Sequence, residues 1–186
     1  MISEPDSPDY TINSYSKNSI QTNRVAKASA AYFLVSYVEA VGNGILADQP
    51  ESLSYILGAG ILGAMIGGAF SLLVFGVLWF WIASRIMKGT TRLKETVIIV
   101  GENFYKPALF SLTCIPFLIF LHFHPDSVLI LSISTLIALF CGFWALIRAI
   151  KSVKAKNEFN WKQTLFISIW PILLFTLASI LFELIL

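Results

Sequence analysis

The chain has 186 residues, 56% of them hydrophobic and 13% charged, and with a mean hydropathy of +0.75 it is too apolar for an ordinary soluble domain. Its net charge of +2 rests on cations that flank apolar runs, where they orient the chain and touch anionic headgroups, so the basic balance is not read as nucleic-acid binding. Cys114 and Cys141 lie inside apolar runs and behave there as small hydrophobes that say nothing of redox compartment.

Residues 1–24, rich in Ser, Asn, Asp and Pro, hold too little apolar surface to offset ordering, which predicts a disordered polar tail. No removable signal peptide is visible in them, so the first apolar helix is expected to act as an uncleaved insertion signal. A first span is predicted over 25–45, since ~20 residues match a ~30 Å hydrocarbon core. Tyr32, Ser36, Glu39 and Asn43 recur there at steps of four, three and four, a polar stripe that should face other helices.

The second span, 53–86, contains more uncharged residues than a perpendicular crossing needs and implies tilt or a bend, expected at Gly67-Gly68. Small residues repeat at i, i+4 on two adjacent lines, Ala59, Gly63, Gly67 and Gly60, Ala64, Gly68. Such residues let membrane helices approach closely, which predicts a packing seam within the bundle rather than between copies. Trp79 and Trp81 precede Arg85, as an aromatic belt would. From Lys88 to Lys106 cations mix with an apolar patch, Val97 to Val100, the pattern of a short helix lying in the interface.

A third span, 104–121, and a fourth, 127–147, are predicted as a hairpin joined by His122-Phe-His-Pro-Asp126. Pro116 inside the third should bend it, with a hydroxyl such as Thr113 taking the freed carbonyl. Lys151 to Lys162 makes a basic loop, and a fifth span over 163–184 carries Pro171 as a second kink. The expectation is an all-α, polytopic membrane protein, a bundle of five transmembrane helices in one domain, 25–186.

The thirteen Lys and Arg fix the orientation. They fall in three groups: Lys17, Arg24, Lys27; Arg85, Lys88, Arg92, Lys94, Lys106; and Arg148, Lys151, Lys154, Lys156, Lys162. The connections LADQPES and HFHPD carry none, so positive-inside orientation places the N-terminus inside and the C-terminus outside.

Glu39 stands out, about 18 Å along the axis from Lys27 and about 13 Å from Asp48 at 1.5 Å per residue. An ionised acid at such depth costs roughly 2.5 to 3.5 kcal/mol on insertion scales, so it must be protonated, paired or in a wet cavity. Ser111, Thr113, Ser132, Ser134 and Thr135 are the candidate partners on other spans. Interhelical glue is favoured over a proton or ion relay. His122 and His124, two residues apart, cannot share a helix face as an i, i+4 zinc pair does, so a polar turn is favoured over a metal site. Glu102 and Glu183 sit near span ends, in reach of headgroups or water. No G-x-S-x-G, H-E-x-x-H or phosphate-binding glycine loop occurs, so no catalytic residue and no cofactor is expected.

The segments ILGAMIGGAFSLLVFGVLWFWIASRIMKG, RLKETVIIVGENFYKPALF and FCGFWALIRAIKSVKAKNEFNWKQTLFIS together resemble the YIP membrane family, the Ypt/Rab-interacting proteins, over roughly Val25 to Leu186. The resemblance implies five spans, a cytoplasmic N-terminus and, for eukaryotic members, a role in early secretory membrane traffic. Asn103 to Pro107 (NFYKP) stands where many members have a glycine-tyrosine pair before proline, and an acid-glycine-proline motif is also missing. The chain therefore looks like a prokaryotic-type member, in the cytoplasmic membrane, without a Rab-type GTPase as direct partner. The function expected is membrane organisation or partner binding without catalysis, with the lipid bilayer and either a protein partner or further copies of the chain as contacts. The alternative is a small transporter or channel component in which Glu39 relays protons or ions.

Overall fold

The computed structural model describes residues 9–47 and 52–185, all of whose regular elements are helical. In chain order these are α1 (Asp9–Ile45), α2 (Leu53–Ser71), a π-helical stretch (Leu72–Trp81), α3 (Ile82–Ile86), α4 (Leu93–Ser111), α5 (Cys114–Phe123), α6 (Val128–Asn157) and α7 (Trp161–Ile185). Among the described residues two rods are long and apolar enough to cross a membrane, Leu53–Ile86 with 34 residues and Val128–Asn157 with 30. The pair α4 and α5, bent by 43°, makes a third if taken as one span. α1 falls outside this set because its polar stripe lowers its hydropathy. Apolar side chains cover much of the outer surface, among them Ile66, Leu129, Phe143 and Ile172, as expected where the solvent is lipid.

Three local expectations differ from the structure. α1 begins at Asp9, so residues 9–24 are helical, while residues 1–8 of the expected tail lie outside the described residues. At the inner end of that extension Arg24 Nε and Nη2 donate to Glu102 Oε1 and Oε2, both at 2.8 Å. The second rod stays α-helical through Gly67-Gly68 and departs from α geometry only at Leu72–Trp81, where wider i→i+5 turns take over. Finally, α4 is one helix from Leu93 to Ser111 and not an interfacial helix followed by a span. Its polar residues are compatible with a packed helix because they find partners: Glu102 takes Arg24, Glu95 takes Lys156 at 2.9 Å, and Asn103 Nδ2 donates to Ile99 O at 2.7 Å.

The break between α4 and α5 falls one turn before Pro116. A proline ring meets the carbonyl four residues back, here Leu112, and the chain tightens there into i→i−3 turns, Thr113 N to Phe110 O and Ile115 N to Leu112 O, both 3.0 Å. Pro171 lies within α7, which continues through it. Its missing donor releases the carbonyl of Ile167, and Trp79 Nε1 takes that acceptor at 3.0 Å. Trp170 Nε1 in turn donates to Leu78 O at 3.0 Å, within the π stretch, where Ile82 N–H bonds Val77 O and Trp79 O rather than Leu78 O.

Two apolar cores hold the bundle. The larger gathers Tyr32, Phe80, Val100, Phe104, Ala149 and Ile167 toward the end that carries the basic loops. The smaller gathers Val41, Ile45, Ile56, Cys114, Leu118 and Leu121 toward the far end.

Candidate functional site

The small-residue lines of α2 lie against α1. A Cβ at Gly60 would stand 2.9 Å from Val41 Cγ2, one at Gly63 2.9 Å from Ala40 Cβ, and one at Gly67 3.1 Å from Ser36 Cβ. Gly68 faces the backbone of Tyr32 and Phe33, Ala64 is fully buried, and Ala59 is half-buried. These close approaches let the two helices run backbone to backbone. A tighter crossing that spacing did not single out joins α1 to α4: a Cβ on Gly101 would fall 2.6 Å from Ala28 Cβ and 2.7 Å from Ala28 Cα.

The polar stripe of α1 divides. Tyr32 and Ser36 are buried, Tyr32 Oη donating to Val97 O at 3.3 Å and Ser36 Oγ meeting Ser71 Oγ at 3.2 Å. Glu39 and Asn43 are not buried by protein; they border a cavity of about 430 Å³ beside the α4–α5 bend. α4 and α5 wall it with Phe104, Ala108, Ser111 and Leu118, α6 with Ser134, Cys141 and Ala145, and Phe75 of the π stretch stands at the end nearer the basic loops. The hydroxyls proposed as partners of Glu39 bond their own helices: Ser111 to Ala108 O, Thr113 to Phe110 O, Ser132 to Val128 O, Ser134 to Ile130 O and Thr135 to Leu131 O, at 2.7 to 2.9 Å. Among the described residues none of these hydroxyls bonds Glu39, and the relay alternative gains no support from this arrangement.

The second feature is a clamp at the basic end. Asn157 Oδ1, at the end of α6, accepts from Thr90 N at 2.9 Å, Thr91 N at 3.1 Å and Thr91 Oγ1 at 3.1 Å, while its Nδ2 donates to Val153 O at 3.0 Å. α7 opens on a capping box in which Gln163 N donates to Asn160 Oδ1 and Asn160 N to Gln163 Oε1. Gln163 Nε2 also donates to Met87 O at 3.0 Å. Lys88 and Glu158, the positive-φ residues at 62° and 55°, turn the chain at the ends of α3 and α6. The loops 87–92 and 158–160 are thereby tied to one another and to three helices. The Glu102 carboxylate holds the Arg24 guanidinium above its ordinary pKa, and Lys151, Lys154, Arg92 and Lys94 project outward nearby, exposed.

At the far end His122 and His124 close α5, His122 edge-on to Phe123 and His124 tilted against Phe120. Parts of the LADQPES connection and the side chain of Glu183 lie outside the described residues.

No curated protein and no solved structure matches the chain significantly. The family model of the Yip1 domain matches residues 19–182, which takes in the small-residue seam, the cavity and the clamp. A chain whose described regular elements are all helical, with two rods long and apolar enough to cross a membrane and a domain match along nearly its whole length, is a transmembrane protein that belongs to the Yip1 domain family, the YIP family of membrane proteins.

Proposed function

We infer that this YIP protein crosses the membrane five times, N-terminus inside and C-terminus outside, and serves as a non-catalytic organiser that presents its basic end to a protein partner. The clamp around Asn157 carries this reading. Two basic loops from separate parts of the chain are held in one fixed arrangement, with exposed cations displayed from it, and a preorganised surface lowers the ordering cost of recognition. Positive-inside orientation supports its location on the inner side, which in a prokaryote is the cytoplasmic face of the cytoplasmic membrane. α1 and α7 supply the remaining crossings. Charge rather than a Rab-type motif is what this surface offers.

Two experiments test it. Single cysteines at Ser7, Gln49 and Lys154, in a chain lacking Cys114 and Cys141, should label so that Ser7 and Lys154 share one face and Gln49 the other. Ser7 and Gln49 on one face would remove the crossing by α1. Proteins co-purified from native membrane with the wild type should be lost with Lys151→Glu and Lys154→Glu; an unchanged set would mean that the basic end is not the docking face.

A further inference from the structure

The cavity has walls of one kind, with an exception on one side. Its hydroxyls are turned back onto their own carbonyls, so apart from Glu39 and Asn43 it is lined mainly by methyl, methylene and ring carbon with the thiols of Cys114 and Cys141. Among the described residues no cation or donor meets Glu39; the ion pairs Arg24–Glu102 and Lys156–Glu95 lie at the basic end. At about 430 Å³ the space matches small-molecule sites, which are concave, mostly apolar and fixed by a few polar groups.

We propose that this cavity binds a lipophilic amine, an amphiphile with one protonated or quaternary nitrogen and an apolar body. The nitrogen sits at Glu39 and Asn43, and the body extends toward Phe104 and Phe75. The proposal rests on the placement of α1 across the membrane. In hydrocarbon a counter-charge is one of the ways to stabilise the Glu39 carboxylate, and no described residue supplies one; a ligand nitrogen does. The Asn43 carboxamide adds an acceptor one turn away on the same helix face. Phe75 and Phe104, edge to face with centroids 5.6 Å apart, offer ring surface to the body and, for a short ligand, to the cation. A bare acyl chain leaves Glu39 against methylene groups, and a carboxylate head repels it.

The test uses the full chain in nanodiscs of phosphatidylcholine alone, whose zero net charge gives an ammonium no headgroup advantage. Three photoreactive probes share one diazirine-bearing alkyl chain and end in a primary amine, an alcohol or a carboxylic acid; crosslinks are mapped by mass spectrometry. The amine probe should label cavity residues of α1, α4 and α6 at least tenfold more than the alcohol, and Glu39→Gln should remove that preference. Gly142→Leu, at a cavity position where nothing stands within 4 Å of a new Cβ, should cut labelling by all three probes while leaving the melting temperature unchanged or higher. Equal labelling by the three heads, a preference that survives Glu39→Gln, or crosslinks between two copies through these walls would overturn the site. The cysteine pair Ser7 and Gln49, read in the same nanodiscs, separates the two failures. If both label from one face, the placement of α1 has failed; opposite faces without head-group preference remove the amine site alone.

Discussion

Trp79 donates its indole N–H to the carbonyl of Ile167, the acceptor that Pro171 deprives of its helical donor. The contact converts a kink-prone position of α7 into a docking point for the second rod, and the reciprocal bond from Trp170 to Leu78 O closes the pair. Each indole donates to a carbonyl of the facing helix, and one of the two carbonyls is the acceptor that a proline leaves without its helical donor.

That pairing predicts coupling. Trp79→Phe should lower stability in detergent by about 1–3 kcal/mol, the range for leaving a buried polar group unsatisfied. Pro171→Ala restores an N–H for Ile167 O, so in that background the same Phe substitution should cost distinctly less. Melting curves of the four proteins in the cycle decide it; equal losses in both backgrounds would show that the indole acts by packing alone.

The glycine contacts divide into tight and open ones. Gly101→Ala drives a Cβ into the backbone of Ala28, and Gly67→Leu overfills the seam at Ser36; each should cost about 1–3 kcal/mol, as overpacking does. Leu72→Ala, at a position more than a third exposed, should be milder. Gly58→Ala meets nothing within 4 Å and should be neutral or stabilising by up to about 1 kcal/mol through helix propensity. A Gly101→Ala protein that melts with the wild type would mean that α1 and α4 do not cross this closely.

Asn157→Ala removes three accepted hydrogen bonds at once. Limited proteolysis should then cut within residues 85–94, where the wild type resists, with the melting temperature falling by an amount equivalent to about 1–3 kcal/mol. Asn157→Asp keeps the accepting oxygen and should protect the loop better than Ala. Identical cleavage of all three proteins would show that the loop is held by something else.

The Arg24–Glu102 pair is bidentate but partly wet, with side chains 45% and 24% exposed. A double-mutant cycle with Arg24→Gln and Glu102→Gln should return only about 0.2–1 kcal/mol. The raised Arg24 pKa makes its contribution complete below the unfolded value and lost only as pH climbs through the folded one, so between neutral and mildly alkaline pH the coupling should stay flat. A coupling that fades between pH 7 and 9 contradicts this.

Sequence and structure diverge for reasons that particular residues make plain. The small lines of α2 and the stripe of α1 are periodic, and helical period alone places each set on a face. Which half of the stripe packs and which half opens to a cavity depends on the α4–α5 bend, far along the chain, so Glu39 and Tyr32 look alike until the helices are assembled. The single helix α4 was not legible because its polar residues look interfacial when their partners are unseen; Arg24 lies 78 residues before Glu102. The role of Trp79 was hidden similarly, since a belt tryptophan and a carbonyl cap have the same sequence signature. Gly101 is isolated in sequence, with no repeat to mark its crossing.

The π stretch from Leu72 to Trp81 has a consequence for how the chain tolerates changes of length. Because each of its turns holds more residues than an α turn, the stretch contains slack. Deleting one residue there can be absorbed by a return toward α geometry, with α3 and the clamp keeping their facing. The same deletion in α2 has no such reserve, and would swing every later side chain of the rod about its axis, taking Trp79 away from Ile167.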